Sequence, residues 1–143
     1  MQVHHYLNFD GRTEEALAFY AQAVGAKTGM LMRMKDAPEQ TDAMKAHGDK
    51  IMHSDFTVGS TLLMASDGYC TGKSAEFKGI TLSLVADSEA EAHKLFAALG
   101  EGGKVTMPLS ATFFSPAFGM LEDKFGVPWM VLVDASSTGQ QPG

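Results

Sequence analysis

The stretch V-H-H-Y-L-N-F-D-G-R-T-E-E-A-L-A-F-Y, Val3 to Tyr20, decides how the chain is read. Its first seven residues alternate. Val3, Leu7 and Phe9 fall on one side and His4, Tyr6 and Asn8 on the other, with His5 a polar exception on the apolar side. Period two over a short run with aromatic residues predicts a half-buried strand. Asp10 and Gly11 break it. Thr13 is placed to cap a helix whose first turn carries Glu14 and Glu15, both favourable near the positive end of the helix dipole. Ala16, Leu17, Phe19, Tyr20 and Val24 recur at helical spacing until Gly25 ends the run.

Downstream, Lys27 to Lys35 alternates again, with Met30, Met32 and Met34 on one face and Leu31, Arg33 and Lys35 on the other. Asp36 to Asp49 is polar, holds Pro38 and reads as a loop with one helical turn around Asp42 to Ala46. Ile51 to Val58 and Thr61 to Ala65 predict a hairpin turning at Gly59-Ser60. Residues 68–78 form the linker. The order then repeats: a strand over Gly79 to Val85, then Ser88-Glu89-Ala90-Glu91, which matches a capping box and opens a helix running to Gly100. Strands follow at Lys104 to Ser110, Ala117 to Asp123 and Pro128 to Val133, with a Phe125-Gly126 turn before the last. Laid over one another, Leu7 and Phe9 fall on Leu82 and Leu84, and Thr13 falls on Ser88. Each half is thus strand, helix, three strands, an α+β design of two βαβββ modules. A sheet with a helix on one face leaves the other open. Two such modules side by side are expected to curve one mixed sheet around a pocket. The expected boundaries are module one over 1–67, the linker, module two over 79–135 and a disordered tail over 136–143.

Composition narrows the function classes. Seventeen acidic against eleven basic residues give a net charge of -6, a field that repels phosphate backbones, so no nucleic-acid partner is expected. No apolar run reaches the length of a membrane span. The single cysteine, Cys70, has no internal disulfide partner, and the N-terminus has no basic, apolar leader pattern. The expected location is cytoplasmic.

Three stretches carry a family resemblance: Tyr6 to Tyr20, the hairpin pattern H-x-x-x-x-x-G-x-x-L-x-x-S-D from His53 to Asp67, and T-F-F-S-P-A-F-G-M-L-E-D-K-F-G-V-P-W-M-V from Thr112 to Val131. With the duplicated module, they resemble the vicinal oxygen chelate superfamily (glyoxalase I, bleomycin-resistance proteins and extradiol dioxygenases), and within it the PhnB-like branch. The likeness covers about residues 3 to 134, and the closing F-G-x-x-x-D-x-F-G-V-P-W run is its most specific part. It implies the glyoxalase/bleomycin-resistance/dioxygenase fold, a homodimer, and a divalent metal held by His and Glu from four strands. Some members of this branch carry a ubiquinone-biosynthesis methyltransferase label. No glycine-rich strand-to-helix loop of the S-adenosylmethionine-binding kind is visible in this sequence.

Carried over position by position, the metal ligands largely vanish. The first-strand histidine lands on His5 by ungapped counting from Phe19, or on His4 when core-facing residues are matched; His4 is preferred, since the odd-numbered face belongs to the helix. The two glutamates become Met64 and Met130, and the second-half histidine position offers Gly79 or Ile80. Thioethers in place of carboxylates leave a hard divalent cation without charge compensation. No cofactor is therefore expected, and no residue is assigned as a metal ligand.

The remaining candidates are weighed on chemistry. His53 and Asp55 are two apart and share a strand face, where Asp55 could orient His53 for acid–base work; they are the catalytic candidates. His4, Tyr6, Asn8, Met64, Thr81, Ser83, Phe114 and Met130 are the ligand-binding candidates. The ten methionines suit either an adaptable cavity or ordinary core packing. Asp67 is read as a turn former or a ligand group, Asp123 as turn-stabilising, and Trp129 as core or interface. The preferred function is binding of a small organic molecule without metal. The alternatives are a metal-dependent glyoxalase- or dioxygenase-type enzyme using His4 or His5 with His53, and an interaction protein with a vestigial cavity.

Overall fold

A computed structural model describes residues 1–68, 70–73 and 75–134; the tail expected over 136–143 lies outside the described residues. The chain divides into two compact units, Met1–Ala75 and Glu76–Gly143, each with its own four-stranded mixed sheet.

In the first unit the elements run β1 (His5–Asn8), α1 (Thr13–Val24), β2 (Lys27–Arg33), α2 (Asp42–Ala46), β3 (Ile51–Val58) and β4 (Thr61–Ser66). Its sheet order is β1-β4-β3-β2, with β1 parallel to β4 and the other pairs antiparallel. The second unit runs β5 (Leu82–Ala86), α3 (Glu89–Gly100), β6 (Lys104–Ser110), β7 (Phe118–Glu122) and β8 (Pro128–Val133). Its order, β5-β8-β7-β6, repeats the same parallel and antiparallel pattern. The α+β class and the duplicated module follow from the periodicity. Both sheets are open rather than closed. Among the described residues, no helix is long and apolar enough to cross a membrane.

One face of each sheet is helix-covered. Under α1 lie Leu7, Phe9, Phe56 and Ala65, with Ala16, Leu17 and Tyr20 of the helix pressed against the sheet, all buried. The Tyr20 ring stacks on Phe56 at 5.9 Å and 12°. Full burial of one such ring contributes about 1.5–3 kcal/mol. Gly25 ends α1 at φ 69, a left-handed position that glycine takes without steric cost. Under α3 lie Leu121, Trp129, Val131 and Val133, with Ala92 and Leu99 from the helix. A Cβ on Gly119 would stand 2.8 Å from the Phe96 ring, so glycine is what lets α3 approach β7.

The halves superpose with a different register from the one read off the sequence. Leu63, Met64 and Ala65 share the burial alternation of Trp129, Met130 and Val131. Leu7 pairs with Ala65 and Leu84 with Val131, so Leu7 falls on Leu84 rather than Leu82. Thr13 is likewise not a cap. It is the first helical residue of α1, and its Oγ1 is buried with no hydrogen-bond partner among the described residues. The carboxylate of Asp67 takes the capping role: Oδ1 accepts from Gly11 N–H at 3.0 Å and Thr13 N–H at 2.8 Å, and Oδ2 accepts from Ile51 N–H at 2.7 Å. Ser88 does cap α3, accepting from Glu91 N–H at 3.1 Å, while the Glu91 carboxylate reaches back to Asp87 N–H. Asp123 is turn-stabilising as expected, accepting from Phe125 and Val127 N–H, and its second oxygen accepts from the Trp129 indole at 2.9 Å.

The expected face of Met30, Met32 and Met34 does not form. Register shifts between Thr28 and Leu31 and between Met32 and Arg33 break the alternation of β2. Met34 falls in a 3-10 turn, Met34–Asp36, and is buried, whereas Met30 is exposed. The strand expected from Gly79 begins only at Leu82; Gly79 has φ 75, outside the extended region.

Candidate functional site

Burial of Leu7 and Phe9 under α1 sends Tyr6 and Asn8 to the opposite, open face of the first sheet. Register fixes their neighbours. Tyr6 stands beside Met64, which stands beside Asp55; Asn8 stands beside Ser66. His53, two residues before Asp55, shares this face, and the Tyr6 side chain reaches over β4 to meet it. The Tyr6 hydroxyl lies 2.9 Å from His53 Nδ1, with ring centroids 5.6 Å apart. Tyr6 is 45% exposed, so the contact is open to a ligand.

Asp55 is turned elsewhere. Its Oδ1 accepts from Met30 N–H at 2.9 Å, at the β2 bulge, where a Cβ on Gly29 would collide with the same oxygen. The geometry therefore brings His53 to Tyr6, and brings Asp55 to the β2 backbone. Asn8 Oδ1 accepts from the Ser66 hydroxyl at 2.9 Å, and that hydroxyl accepts from Gly68 N–H at 3.1 Å. His5 lies in β1 opposite Leu63 and is exposed; His4 precedes the strand and is exposed.

The open face of the second sheet is different in chemistry. Ser83 stands beside Met130, Met130 beside Met120, and Met120 beside Met107. A second row joins Val85, Leu132 and Phe118. Thr81 lies just before β5. Phe114, in the loop before β7, packs edge-on against Phe113 at 5.0 Å and against Phe118 at 5.1 Å. Trp129 is core, not ligand surface. Met64 and Met130 occupy equivalent central positions of the two sheets, with Tyr6 and Ser83 as their equivalent neighbours.

The donor set does not fit a divalent metal of the superfamily kind. Met64 and Met130, the positions to which the resemblance carries the superfamily's glutamates, are thioethers, which bring neither charge nor a hard oxygen. Among the described residues, no three His, Cys, Asp or Glu side chains are grouped so as to hold an ion. Cys70 is a half-buried thiol whose pKa burial pushes up, away from thiolate chemistry.

Comparison with known proteins places these faces in a family. Residues 1–132 match the family described as 3-demethylubiquinone-9 3-methyltransferase. The chain belongs to this family. It is 30% identical to Protein YjdN of Escherichia coli K12, over 93% of this chain and 95% of that one. Among solved structures it resembles protein PA1353 from Pseudomonas aeruginosa, with 44% identity, TM-score 0.81, and coverage of 94% of this chain and 98% of that one. It also resembles a putative 3-demethylubiquinone-9 3-methyltransferase, PhnB protein, from Bacillus cereus, with 26% identity, TM-score 0.77, and coverage of 93% and 99%. A glyoxylase/bleomycin resistance protein/dioxygenase domain from Frankia sp. EAN1pec shares the fold at 16% identity and TM-score 0.59, covering 94% of this chain and 97% of that one. The chain is thus a PhnB-like family member with the vicinal oxygen chelate fold.

Sequence reading did not single out Met107 and Met120. Both lie at alternating strand positions, but only the strand order β8-β7-β6 puts them in one row with Met130. Nor did it foresee that Tyr6 and His53, 47 residues apart, are partners.

Proposed function

We propose that this PhnB-like protein binds a small organic molecule on the open faces of its sheets, without the divalent metal usual in the superfamily. The observation that carries the reading is the Tyr6–His53 contact on the open face of the first sheet. There a phenol and an imidazole, exposed beside Met64, offer one polar anchor on a partly apolar floor, the usual composition of a small-molecule site. On the first sheet Tyr6, Asn8 and His53 supply polar contacts and Met64 adaptable surface; on the second sheet Thr81, Ser83, Phe114 and Met130 supply an adaptable surface of its own. His53 is the residue suited to hold or move a proton, with Asp55 tying its strand to β2 through the Met30 amide. The family description names a methyltransferase. The turns Phe9-Asp10-Gly11-Arg12 and Asp87-Ser88, which lead into the two long helices, hold a single glycine, and methyl transfer forms no part of this proposal.

The working unit in this proposal is a homodimer of chains, each made of modules 1–67 and 79–135 joined through 68–78, in the cytoplasm, where the lone Cys70 stays reduced. A light-scattering mass near one chain would count against the dimer.

The test is a thermal-shift screen of chelator-treated protein against small oxyacids, quinone precursors and flat aromatic compounds. A ligand of the native state raises the melting temperature. The expected result is a compound that stabilises metal-free protein and loses its effect in Tyr6→Phe and His53→Ala. Stoichiometric Zn, Mn, Ni or Fe in the purified protein, lost in His53→Ala, would overturn the reading in favour of the metal-dependent enzyme.

A further inference from the structure

We propose that the open face of the second sheet carries a thioether site for a soft monovalent cation, copper(I), made by Met107, Met120 and Met130. The three residues stand on three adjacent strands, and register pairs join Met107 to Met120 and Met120 to Met130; β6 shifts register on either side of Met107, so its face is set by this pair and not by alternation along the strand. Directly paired residues project from the same side of a sheet, with Cβ atoms about 4.5–5.5 Å apart. The other side is already taken, since Gly119, Leu121, Trp129 and Val131 are all buried under α3. Met120 is therefore one strand spacing from a thioether on either flank. The side chain is unbranched and flexible, so the outer two sulfurs can lean inward onto an ion held at the middle one.

The chemistry selects the ion. Three neutral thioethers are soft donors that suit copper(I), whereas zinc, magnesium or manganese needs the charge or hard oxygens this row lacks. The fourth member of the row is Ser83, an uncharged residue. Glu122 lies in the next row of β7, opposite Lys104 and outside the methionine row. Burial separates this row from packing methionines. Met34 is 5% exposed and serves the core, whereas Met107 is 45% exposed and Met120 and Met130 are half-buried, so the row is shielded yet reachable. The inference stands on register and donor type alone and does not depend on the small-molecule reading.

The experiment uses the full chain carrying Cys70→Ser, because a thiol would itself bind copper(I). Copper(I) is titrated anaerobically against a chromophoric chelator, and silver(I) is added as a redox-inert probe while methionine methyl resonances are followed. The expected result is one bound equivalent, with the methyl signals of Met107, Met120 and Met130 moving together. Met120→Leu, which keeps volume and apolarity, weakens binding by about tenfold or more, and the triple leucine variant no longer competes with the chelator. Equal competition by the triple variant, or methyl shifts confined to Met1, Met30, Met32 or Met64, would overturn the site. Should the triple variant fail to fold, Met120→Leu and the methyl map of the unsubstituted row decide. Met120 lies outside the proposed ligand surface, so lost copper binding with retained organic-ligand binding in Met120→Leu separates this inference from the proposed function.

Discussion

The Tyr6 hydroxyl and Nδ1 of His53 are joined at 2.9 Å across an intervening strand, on the face that α1 leaves open. Either the hydroxyl donates to Nδ1, with the imidazole proton on Nε2, or Nδ1–H donates to the phenol oxygen; a phenol O–H is the stronger donor, so the first arrangement is predicted. Nitrogen NMR of the neutral histidine is expected to show the Nε2–H form in the native protein. Tyr6→Phe removes the donor and is expected to mix the tautomers while costing no more than about 1 kcal/mol, since the pair is exposed. A Nδ1–H tautomer in the native protein would show the bond running from the imidazole to the phenol oxygen and defeat the prediction.

Asp67 is expected to be far more costly to lose. Its two oxygens accept three backbone N–H groups, from Gly11, Thr13 and Ile51, and it is 1% exposed. Asp67→Ala leaves those donors in a buried place with no acceptor. The expected loss is about 3 kcal/mol or more in urea unfolding, with the β1–α1 turn the first segment to exchange its amides. A loss below about 1 kcal/mol would mean that water replaces the carboxylate there.

These two residues also show what the sequence could and could not disclose. Strand and helix extents were legible because Leu7, Phe9, Ala16 and Tyr20 sit at periods set by local geometry. So was the cap at Ser88, since its partner Glu91 lies three residues away. Asp67 was not legible as a helix cap, because its Thr13 partner is 54 residues distant and nothing local demands it. The same holds for the β2 bulge. Alternation predicted a continuous methionine face, while the backbone yields there to let Asp55 bond Met30 N–H. At the open faces, the sequence supplied His53, Tyr6, Met64 and Met130 as types; which of them touch was set by strand order, which periodicity does not encode.

Gly29 and Asp55 should therefore be energetically coupled. A methyl at Gly29 would overlap Asp55 Oδ1, and the carboxylate would have to leave the Met30 amide. Gly29→Ala is expected to cost about 1–2 kcal/mol in the native background, as overpacking does. In an Asp55→Ala background the same change should be close to neutral, because the obstacle is gone. A double-mutant cycle from urea unfolding measures the difference, and strict additivity would show that the two residues do not meet.

Acid sensitivity should trace to the carboxylates tied across the first unit. Arg33 grips Glu14 through two bonds, at 2.7 and 3.2 Å, and its hydrogen bonds and charge hold the Glu14 carboxyl below its ordinary value of 4.5. Lys35 holds Asp49, and the Thr71 hydroxyl and amide hold Asp10, below the ordinary 3.8. In each case the folded state binds the proton less readily than the unfolded chain. The stabilisation is therefore complete above pH 4.5 and drains away as pH falls through the lowered folded values. The melting temperature should be flat above that point and decline below it. Glu14→Gln should flatten part of the decline, since the amide no longer takes up a proton. The pair is on the surface, so its share is small and shrinks further in high salt. A Glu14→Gln profile parallel to the native one at low salt would show that Arg33 does not hold this carboxylate in solution.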